Sequence, residues 1–333
     1  MPRQIIRRAT LLLALTALST GAMAQKALKT GVNEAPWPTK AVKLLVGFPG
    51  GSSPDLVART LAEPLSKALG QAVIVENRPG AGGNIAANLV AKSTDNHTLG
   101  IMINGNLTIA KILNPKAPFD PAKDLAPISL IGTAPLVLTA PASSDTPSAQ
   151  AFFVAARNGG DKWNYGTPGN GTVGHIGMEL LKTKTNIAPV HVPYPGNPQV
   201  ISAMIGGQIQ LSLLPPGLAM PQVRAGKLRA IGVTSAGRSP LVPEVPSLSD
   251  GGVGNFQLEI WNAVAGPSSL PKPIVARLSN LFSEVARRPE VRQKLFNQGW
   301  QVAGTSSEGL ANRIKLDTQL LGGVIMMRGI KAE

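Results

Sequence analysis

Short apolar runs and amphipathic stretches alternate along most of this chain, with glycine-rich or polar turns between them. The first pair is the apolar run Val42–Val46 and, after two glycines, a stretch at residues 54–69 whose apolar residues recur at helical spacing. A short β-branched run is typical of a strand buried in a parallel sheet, and recurrence at three and four residues is typical of a helix. The pattern predicts a strand, a tight turn and a helix, with Ser52 or Ser53 as the N-cap.

The same arrangement follows twice more. A strand at residues 72–76 ends in a glycine-rich turn before a helix at 84–92, and a strand at 99–103 ends at Asn104 with Thr108 close behind. In a doubly wound sheet such strand ends open on one edge, where ligands bind. A glycine turn that opens a helix also directs N–H groups at one point, which favours an anion. An ordinary strand-to-helix connection has the same pattern, so one turn alone does not establish a site.

A second set of alternating strands and helices occupies residues 125–234 and predicts a second α/β unit with parallel strands. It contains two polar turns, at residues 167–175 and 193–198. A returning strand near 256–265 and helical stretches up to 327 follow it. A long helical tail needs a surface to cover, so we expect it to return to the first unit, with two crossing segments forming a hinge.

The first residues have the composition of a secretory signal peptide. Three arginines precede an apolar segment at residues 9–18, which is too short to span a bilayer, and small residues follow up to Ala24. We predict a signal peptide at residues 1–24, export to the periplasm, and an extended lead-in at residues 25–39. A pair of adjacent arginines leaves both general secretory and twin-arginine export open.

Composition narrows the classes of function. The chain has no cysteine, which excludes disulfides, thiolate metal sites and a lipid-modified cysteine. Its formal net charge is +14, but the basic residues are scattered and only 4% of the residues are aromatic. Nucleic-acid binding uses a clustered basic stripe with aromatic platforms, so we expect no nucleic-acid partner. The positive charge suits the attraction of an acidic small molecule, although solubility explains it equally well.

Residues 169–174 match the dinucleotide-binding pattern G-x-G-x-x-G between a strand and a helix. That fingerprint also needs an acidic residue about twenty positions further on, at the end of the next strand, to bind a ribose. The corresponding strand reads Val190-His191-Val192 and contains no acid. We therefore expect no nicotinamide, and no cofactor of another kind.

No combination of residues suits catalysis. The chain lacks the hydrolase motif G-x-S-x-G and the phosphate loop, and its three histidines have no spacing typical of a metal site. Hydrogen-bond donors are plentiful at the turns, whereas a catalytic set is missing, which favours binding over chemistry. An exported hydrolase or lyase acting on a small carboxylate, and a ligand sensor for a signalling partner, stay open as alternatives.

Several ordered motifs together resemble the substrate-binding proteins of the tripartite tricarboxylate transporter family, also called Bordetella uptake gene (Bug) receptors. The resemblance extends from about Trp37 to the C-terminus. Its motifs include Phe48-Pro49-Gly50-Gly51 with Asp55 and Ala58-Arg59, Glu76-Asn77-Arg78-Pro79-Gly80-Ala81-Gly82-Gly83, Tyr165-Gly166 through His175, Val192-Pro193-Tyr194 with Gly196, Gly226-Lys227-Leu228-Arg229-Ala230, and Arg238-Ser239-Pro240.

The resemblance implies an α/β, two-lobed periplasmic-binding-protein (Venus flytrap) fold. Each lobe would be a mostly parallel sheet flanked by helices, with a central ligand cleft and a hinge. Lobe 1 would comprise residues 40–135 plus 262–333, and lobe 2 residues 136–261. The implied function is that of a monomeric periplasmic receptor, not an enzyme, which binds a small organic carboxylate and delivers it to a membrane permease.

The family also implies a set of ligand contacts. In such receptors the carboxylate is held mainly by backbone N–H groups and water at strand-end loops, with few charged side chains. In lobe 1 the contacts would be Phe48, Pro49, Gly50, Gly51, Ser52, Ser53, Asn77, Gly82, Gly83, Asn104 and Thr108. In lobe 2 they would be Thr167, Asn170, Thr172, His175, Tyr194, Gly196, Asn197 and Pro198.

The chain departs from the family pattern near the expected cleft. The strand at residues 209–214 carries Gln210 and Ser212, where the family usually has an aspartate. Gly50 replaces a usual proline, and Asn106-Leu107-Thr108 stands where a Thr-His pair is usual. The identity of the ligand therefore stays open among di- and tricarboxylates, amino acids and aromatic acids.

Overall fold

A computed structural model describes residues 37–330. The predicted signal peptide at residues 1–24, and the predicted lead-in up to residue 36, lie outside the described residues. One compact unit begins at Lys40 and contains all of the elements below.

The elements alternate along the chain much as the pattern predicts. The strands are β1 Val42–Val46, β2 Val73–Asn77, β3 Thr98–Ile103, β4 Leu125–Pro135, β5 Val137–Pro141, β6 Asn164–Thr167, β7 Val190–Pro193, β8 Ser212–Leu214, β9 Leu228–Val233, β10 Glu259–Pro267 and β11 Gln301–Val302. The helices are α1 Ser53–Leu69, α2 Asn84–Ala91, α3 Asn104–Thr108, α4 Ala110–Leu113, α5 Pro121–Asp124, α6 Ala149–Gly159, α7 Val173–Thr185, α8 Asn197–Ile205, α9 Pro216–Arg224, α10 Lys272–Arg287, α11 Pro289–Asn297 and α12 Ser307–Arg328.

Six strands form one sheet in the order β11-β4-β10-β3-β1-β2. β1 pairs in parallel with β2 and β3, as expected for strands joined by crossover helices. β10 lies between β3 and β4 and is antiparallel to both, and β11 is antiparallel to β4. The sheet is therefore mixed, because β10 returns from a distant part of the chain. We call this sheet and its helices lobe 1.

The remaining strands form two smaller sheets, which with their helices we call lobe 2. One has the order β8-β5-β9, with β5 antiparallel to both neighbours, and β6 pairs in parallel with β7. The parallel arrangement predicted for residues 125–234 is wrong at β5, which follows β4 directly and enters lobe 2 against the direction of its neighbours. The residue boundaries between the lobes stay predictions.

Helix α12 packs on both lobes. Leu310, near its start, belongs to the apolar core around the large sheet, whereas Leu321 and Ile325 belong to the core that surrounds Phe152 and Tyr165. The helical tail therefore returns to lobe 1, as expected, and also buries its last turns against lobe 2. Within residues 37–330, no helix combines the length and the apolarity that crossing a bilayer requires.

Candidate ligand-binding site

The turn between β1 and α1 brings two serines to the start of a helix. Gly51 has a φ of +79°, in the left-handed region that favours glycine, and this sharp turn lets the chain reverse after the strand. Ser52 is the N-cap and Pro54 follows in the first turn, where its missing N–H has no helical partner to lose. Ser52 and Ser53 are buried and face a cavity.

A buried carboxylate fixes this turn. Asp55 accepts hydrogen bonds from Gly51 N–H at 2.9 Å, from Arg59 Nε at 3.0 Å and from Asn77 Nδ2 at 2.8 Å. Asn77 also donates to the carbonyl oxygen of Phe48 at 2.9 Å. Burial by itself raises the pKa of Asp55, but the hydrogen bonds from Arg59, Gly51 and Asn77 outweigh it and hold that pKa below its usual value. Asn77 and Asp55 thus fasten β2 to the turn.

The matching turn in lobe 2 joins β6 to α7. Thr172 is the N-cap: its hydroxyl donates to the carbonyl oxygen of Gly169 at 2.8 Å and accepts from His175 N–H at 3.4 Å. Gly169 and Gly171 have φ values of +121° and +75°. These bonds hold the turn in one conformation and place the first residues of α7 at the cavity.

A buried cluster of rings lies behind this turn. His191 stacks between Tyr165 and His175, with ring centroids 4.8 and 4.4 Å away, and its Nε2 lies 2.6 Å from Thr167 Oγ1. Tyr165 donates to Glu179 at 2.5 Å. Burial, reinforced by the nearby His175, lowers the pKa of His191 from 6.5 to about 4. His191 is therefore neutral at pH 7.

The two turns face each other across a cavity of about 480 Å³, part of which is open to solvent. Helices α1, α7 and α8 all begin at its wall. No residue of this wall is charged, among the residues that the structure describes. The wall consists of Phe48, Ser52, Ser53, Pro54, Ile103, Asn104, Leu136, Pro168, Thr172, Val173, Gly174, Asn197, Leu213, Pro215, Ile260, Trp261, Asn262 and Trp300.

The lobes approach each other closely through glycines. A Cβ added at Gly82 would lie 2.4 Å from the carbonyl oxygen of Asn170, and one added at Gly105 would lie 2.4 Å from that of Gly171. A Cβ at Gly217 would overlap the carbonyl oxygen of Gln298. Such contacts leave no room for side chains, so this arrangement of the lobes is a closed one.

The structure places the residues predicted for the site in three groups. Phe48, Ser52, Ser53, Asn104, Thr172 and Asn197 line the cavity. Gly82, Asn170, Pro49 and Gly196 lie where the lobes touch, and Gly83 packs against Phe48. The third group lies away from both the cavity wall and these contacts. It comprises residues of the turns and their supports, namely Gly50, Gly51, Asn77, Thr108, Thr167 and His175. It also includes Tyr194 and Pro198, which line a separate depression in lobe 2.

Gln210 and Ser212, which replace the expected aspartate, bond to the backbone of lobe 2. Gln210 Oε1 accepts from Asn164 N–H at 2.8 Å, and Ser212 Oγ donates to the carbonyl oxygen of Gly166 at 2.8 Å. Neither side chain is part of the cavity wall. Both hold β8 beside β6, which makes them structural residues.

Sequence patterns did not indicate several residues of the wall. Trp261 and Asn262 come from β10 and Trp300 precedes β11. β10 is a nine-residue, largely apolar strand and β11 has only two residues, and nothing in the pattern shows which of their residues face a cleft. Between residues 37 and 330, no group of three or more His, Asp and Glu side chains is placed to bind a metal ion.

The chain matches the profile of the tripartite tricarboxylate transporter family receptor over residues 57–330. The protein BugT of Bordetella pertussis is 29% identical over 297 residues, which cover 89% of this chain and 91% of BugT.

Two solved structures have the same fold. MatC from Rhodopseudomonas palustris, with bound malate, is 30% identical, with a TM-score of 0.83 over 87% of this chain and 100% of MatC. A second Rhodopseudomonas palustris protein, solved with adipate, is 29% identical to this chain. Its TM-score is 0.84, and the match covers 89% of this chain and 99% of that protein's chain. The two-lobed α/β fold and the family resemblance are confirmed: this chain belongs to the tripartite tricarboxylate transporter receptor family, whose members are solute-binding proteins.

Proposed function

We propose that this protein is a receptor that closes its two lobes on a small organic carboxylate. The observation that carries this proposal is that α1, α7 and α8, with 17, 13 and 9 residues, all begin at the cavity wall. The N–H groups of a first helical turn have no acceptor within the helix, and the helix dipole adds partial positive charge there. An anion bound at this point needs no cationic side chain, which agrees with the uncharged wall.

The relatives support the same class of ligand, because the two Rhodopseudomonas palustris proteins were solved with malate and with adipate. Both molecules are carboxylates. A ligand that contacts both lobes favours the closed arrangement over an open one by its differential affinity. The glycine contacts between the lobes fit such a closure.

We further propose that the receptor acts as a monomer in the periplasm and passes its ligand unchanged to the permease of a tripartite transporter. Membership of the receptor family supports the permease, and the predicted signal peptide supports export. Purification of the ligand-loaded protein with solubilised membrane proteins would distinguish a permease from a signalling partner.

A thermal-shift screen tests the ligand class. We expect some carboxylates to raise Tm, and a ligand at a hundred times its Kd adds about 2.7 kcal/mol to the free energy of unfolding. Methyl esters of the same acids are the matched controls, because they keep the shape and lose the charge. If no carboxylate raises Tm, the proposal is wrong. Recovery of a chemically altered ligand would identify an enzyme instead.

A further inference from the structure

Five buried polar atoms of the cavity wall have no hydrogen-bond partner among the described residues. They are Ser52 Oγ, Asn104 Oδ1, Asn197 Oδ1 and both amide atoms of Asn262. All four side chains are more than nine-tenths buried. Buried polar groups are nearly always paired in folded proteins, and an unpaired one costs free energy. A bound molecule that pairs these atoms therefore gains affinity from each of them.

The orientation of Asn104 is fixed by its other amide atom. Its Nδ2 donates to the carbonyl oxygen of Glu259 at 3.1 Å, which leaves Oδ1 as the atom without a partner. A carbonyl oxygen only accepts hydrogen bonds. This position of the wall therefore requires a donor from the ligand.

Asn262 presents a whole amide group. It stands at a register shift between β10 and β4, and such bulges redirect side chains next to binding sites. Neither its Nδ2 nor its Oδ1 has a partner. Exchange of the two atoms by rotation leaves one donor and one acceptor in either case. A ligand that satisfies Asn262 needs both an acceptor and a donor.

The rest of the wall is largely apolar. Leu136, Leu213 and Ile260 line it together with Trp261 and Trp300. The indole N–H of Trp261 donates to Asp317 at 2.6 Å, so the part of this residue available to a ligand is its apolar ring. A second carboxylate on the ligand would be buried here without a charged partner, which is costly.

Three unpaired carbonyl oxygens and an apolar wall do not suit a ligand with several carboxylates, because an ionised di-acid such as adipate has no hydrogen-bond donor. We propose that the cavity selects a monocarboxylate with an apolar body, such as a ring, that also carries an amide or hydroxyl donor. This inference rests on the proposed function, since it assigns the single carboxylate to the helix N-termini and the donor to Asn262 and Asn104.

Two isosteric acids test this selection. 4-Carbamoylbenzoate and terephthalate have the same shape, but the first carries an amide where the second carries a further carboxylate, and benzoate has neither. We expect isothermal titration calorimetry at neutral pH to show 4-carbamoylbenzoate binding about tenfold or more tightly than terephthalate and than benzoate.

Asn262→Leu locates the effect. We expect it to bring the dissociation constants of 4-carbamoylbenzoate and benzoate to within about twofold of each other, because the amide of the ligand then has no partner at this position. Asn158→Leu, at an exposed position of α6, is the matched control and keeps the preference. The comparison of the acids on the unaltered protein stands even if Asn262→Leu does not fold.

The outcomes separate this inference from the proposed function. If terephthalate or adipate binds as tightly as 4-carbamoylbenzoate, or if adipate binds and no aromatic acid does, the selection is wrong while the carboxylate receptor stands. If no carboxylate of any kind binds, the proposed function fails, and the inference with it. A preference that survives Asn262→Leu overturns the assignment of the donor to Asn262.

Discussion

At the scale of single residues, Gly51 shows how one backbone angle controls the turn that opens α1. Its φ of +79° is strained for any residue with a side chain, although a Cβ there would meet nothing within 4 Å. The cost of a substitution is therefore backbone strain and not crowding. We expect Gly51→Ala to lower the free energy of unfolding by about 1–2 kcal/mol and to weaken ligand binding, because Ser52 and Ser53 follow it in the cavity wall.

Gly50→Ala is the matched control. Gly50 also has open space around a Cβ, and its φ lies outside the left-handed region. Urea unfolding and calorimetric titration of the two variants measure stability and affinity. Equal effects of the two substitutions would contradict the importance of the left-handed angle at Gly51.

Thr172 gives a second expectation at this scale. Because its hydroxyl is already bonded to Gly169 and to His175 N–H, it acts as a helix cap. We expect Thr172→Val to lower the free energy of unfolding by about 1 kcal/mol, and Thr172→Ser to retain most of it. If Thr172→Val leaves Tm unchanged and weakens only ligand binding, the hydroxyl is a ligand donor and not a cap.

The positions of Ser52 and Thr172 near helix starts could be predicted from the sequence, because they depend on a few neighbouring residues, but Thr172 was expected to contact the ligand and its capping hydrogen bond was not predicted. The positions of Trp261 and Asn262 could not be predicted, since their part in the wall depends on the strands that flank β10. The direction of Asn262 depends further on a register shift. Positions set by local geometry were therefore predictable, and positions set by distant pairings were not.

At the scale of elements, His191 couples β7 to β6 and α7 and makes their packing sensitive to pH. Its pKa is about 4 in the folded protein and 6.5 in its unperturbed state. The folded protein thus disfavours the protonated form, so the stability that neutral His191 contributes is complete above pH 6.5 and is lost as the pH falls toward 4. We therefore expect the free energy of unfolding to decrease as the pH falls from 6.5 to about 4.

Denaturant titrations at several pH values, with His191→Gln for comparison, measure this effect. The comparison isolates His191, because the other titratable groups are the same in both proteins. The glutamine variant is expected to flatten the slope between pH about 4 and 6.5. If the slope is unchanged, another group titrates.

The order of the elements could be predicted from local periodicity, whereas their directions could be predicted only in part. β1, β2 and β3 are parallel because each is followed by its own helix. β5 and β10, the two strands that cross between the lobes, run antiparallel to the strands beside them. A crossing strand enters a sheet built by other segments, and its own residues do not specify that direction.

At the scale of the whole molecule, the close contacts between glycines tie ligand binding to closure. Gly82, Gly105 and Gly217 belong to three separate turns or helix starts, and each meets backbone of the opposite lobe. The glycine-rich turns were recognisable in the sequence as possible anion donors. That several of them instead allow two backbones to touch depends on the arrangement of both lobes.

Gly105 allows this coupling to be tested, because it lies within α3 without a left-handed φ, and alanine there costs no backbone strain. A Cβ at Gly105 would press on the carbonyl oxygen of Gly171 only when the lobes are closed. We therefore expect Gly105→Ala to weaken ligand binding about tenfold or more, a loss of about 1.4 kcal/mol, while Tm without ligand changes little.

Gly323→Ala in α12 is the matched control, because a Cβ there meets open space and its φ is not left-handed. Small-angle scattering with saturating ligand should show a more extended shape for the Gly105→Ala variant than for the unaltered protein. Unchanged affinity and unchanged scattering would mean that the lobes bind ligand without this contact.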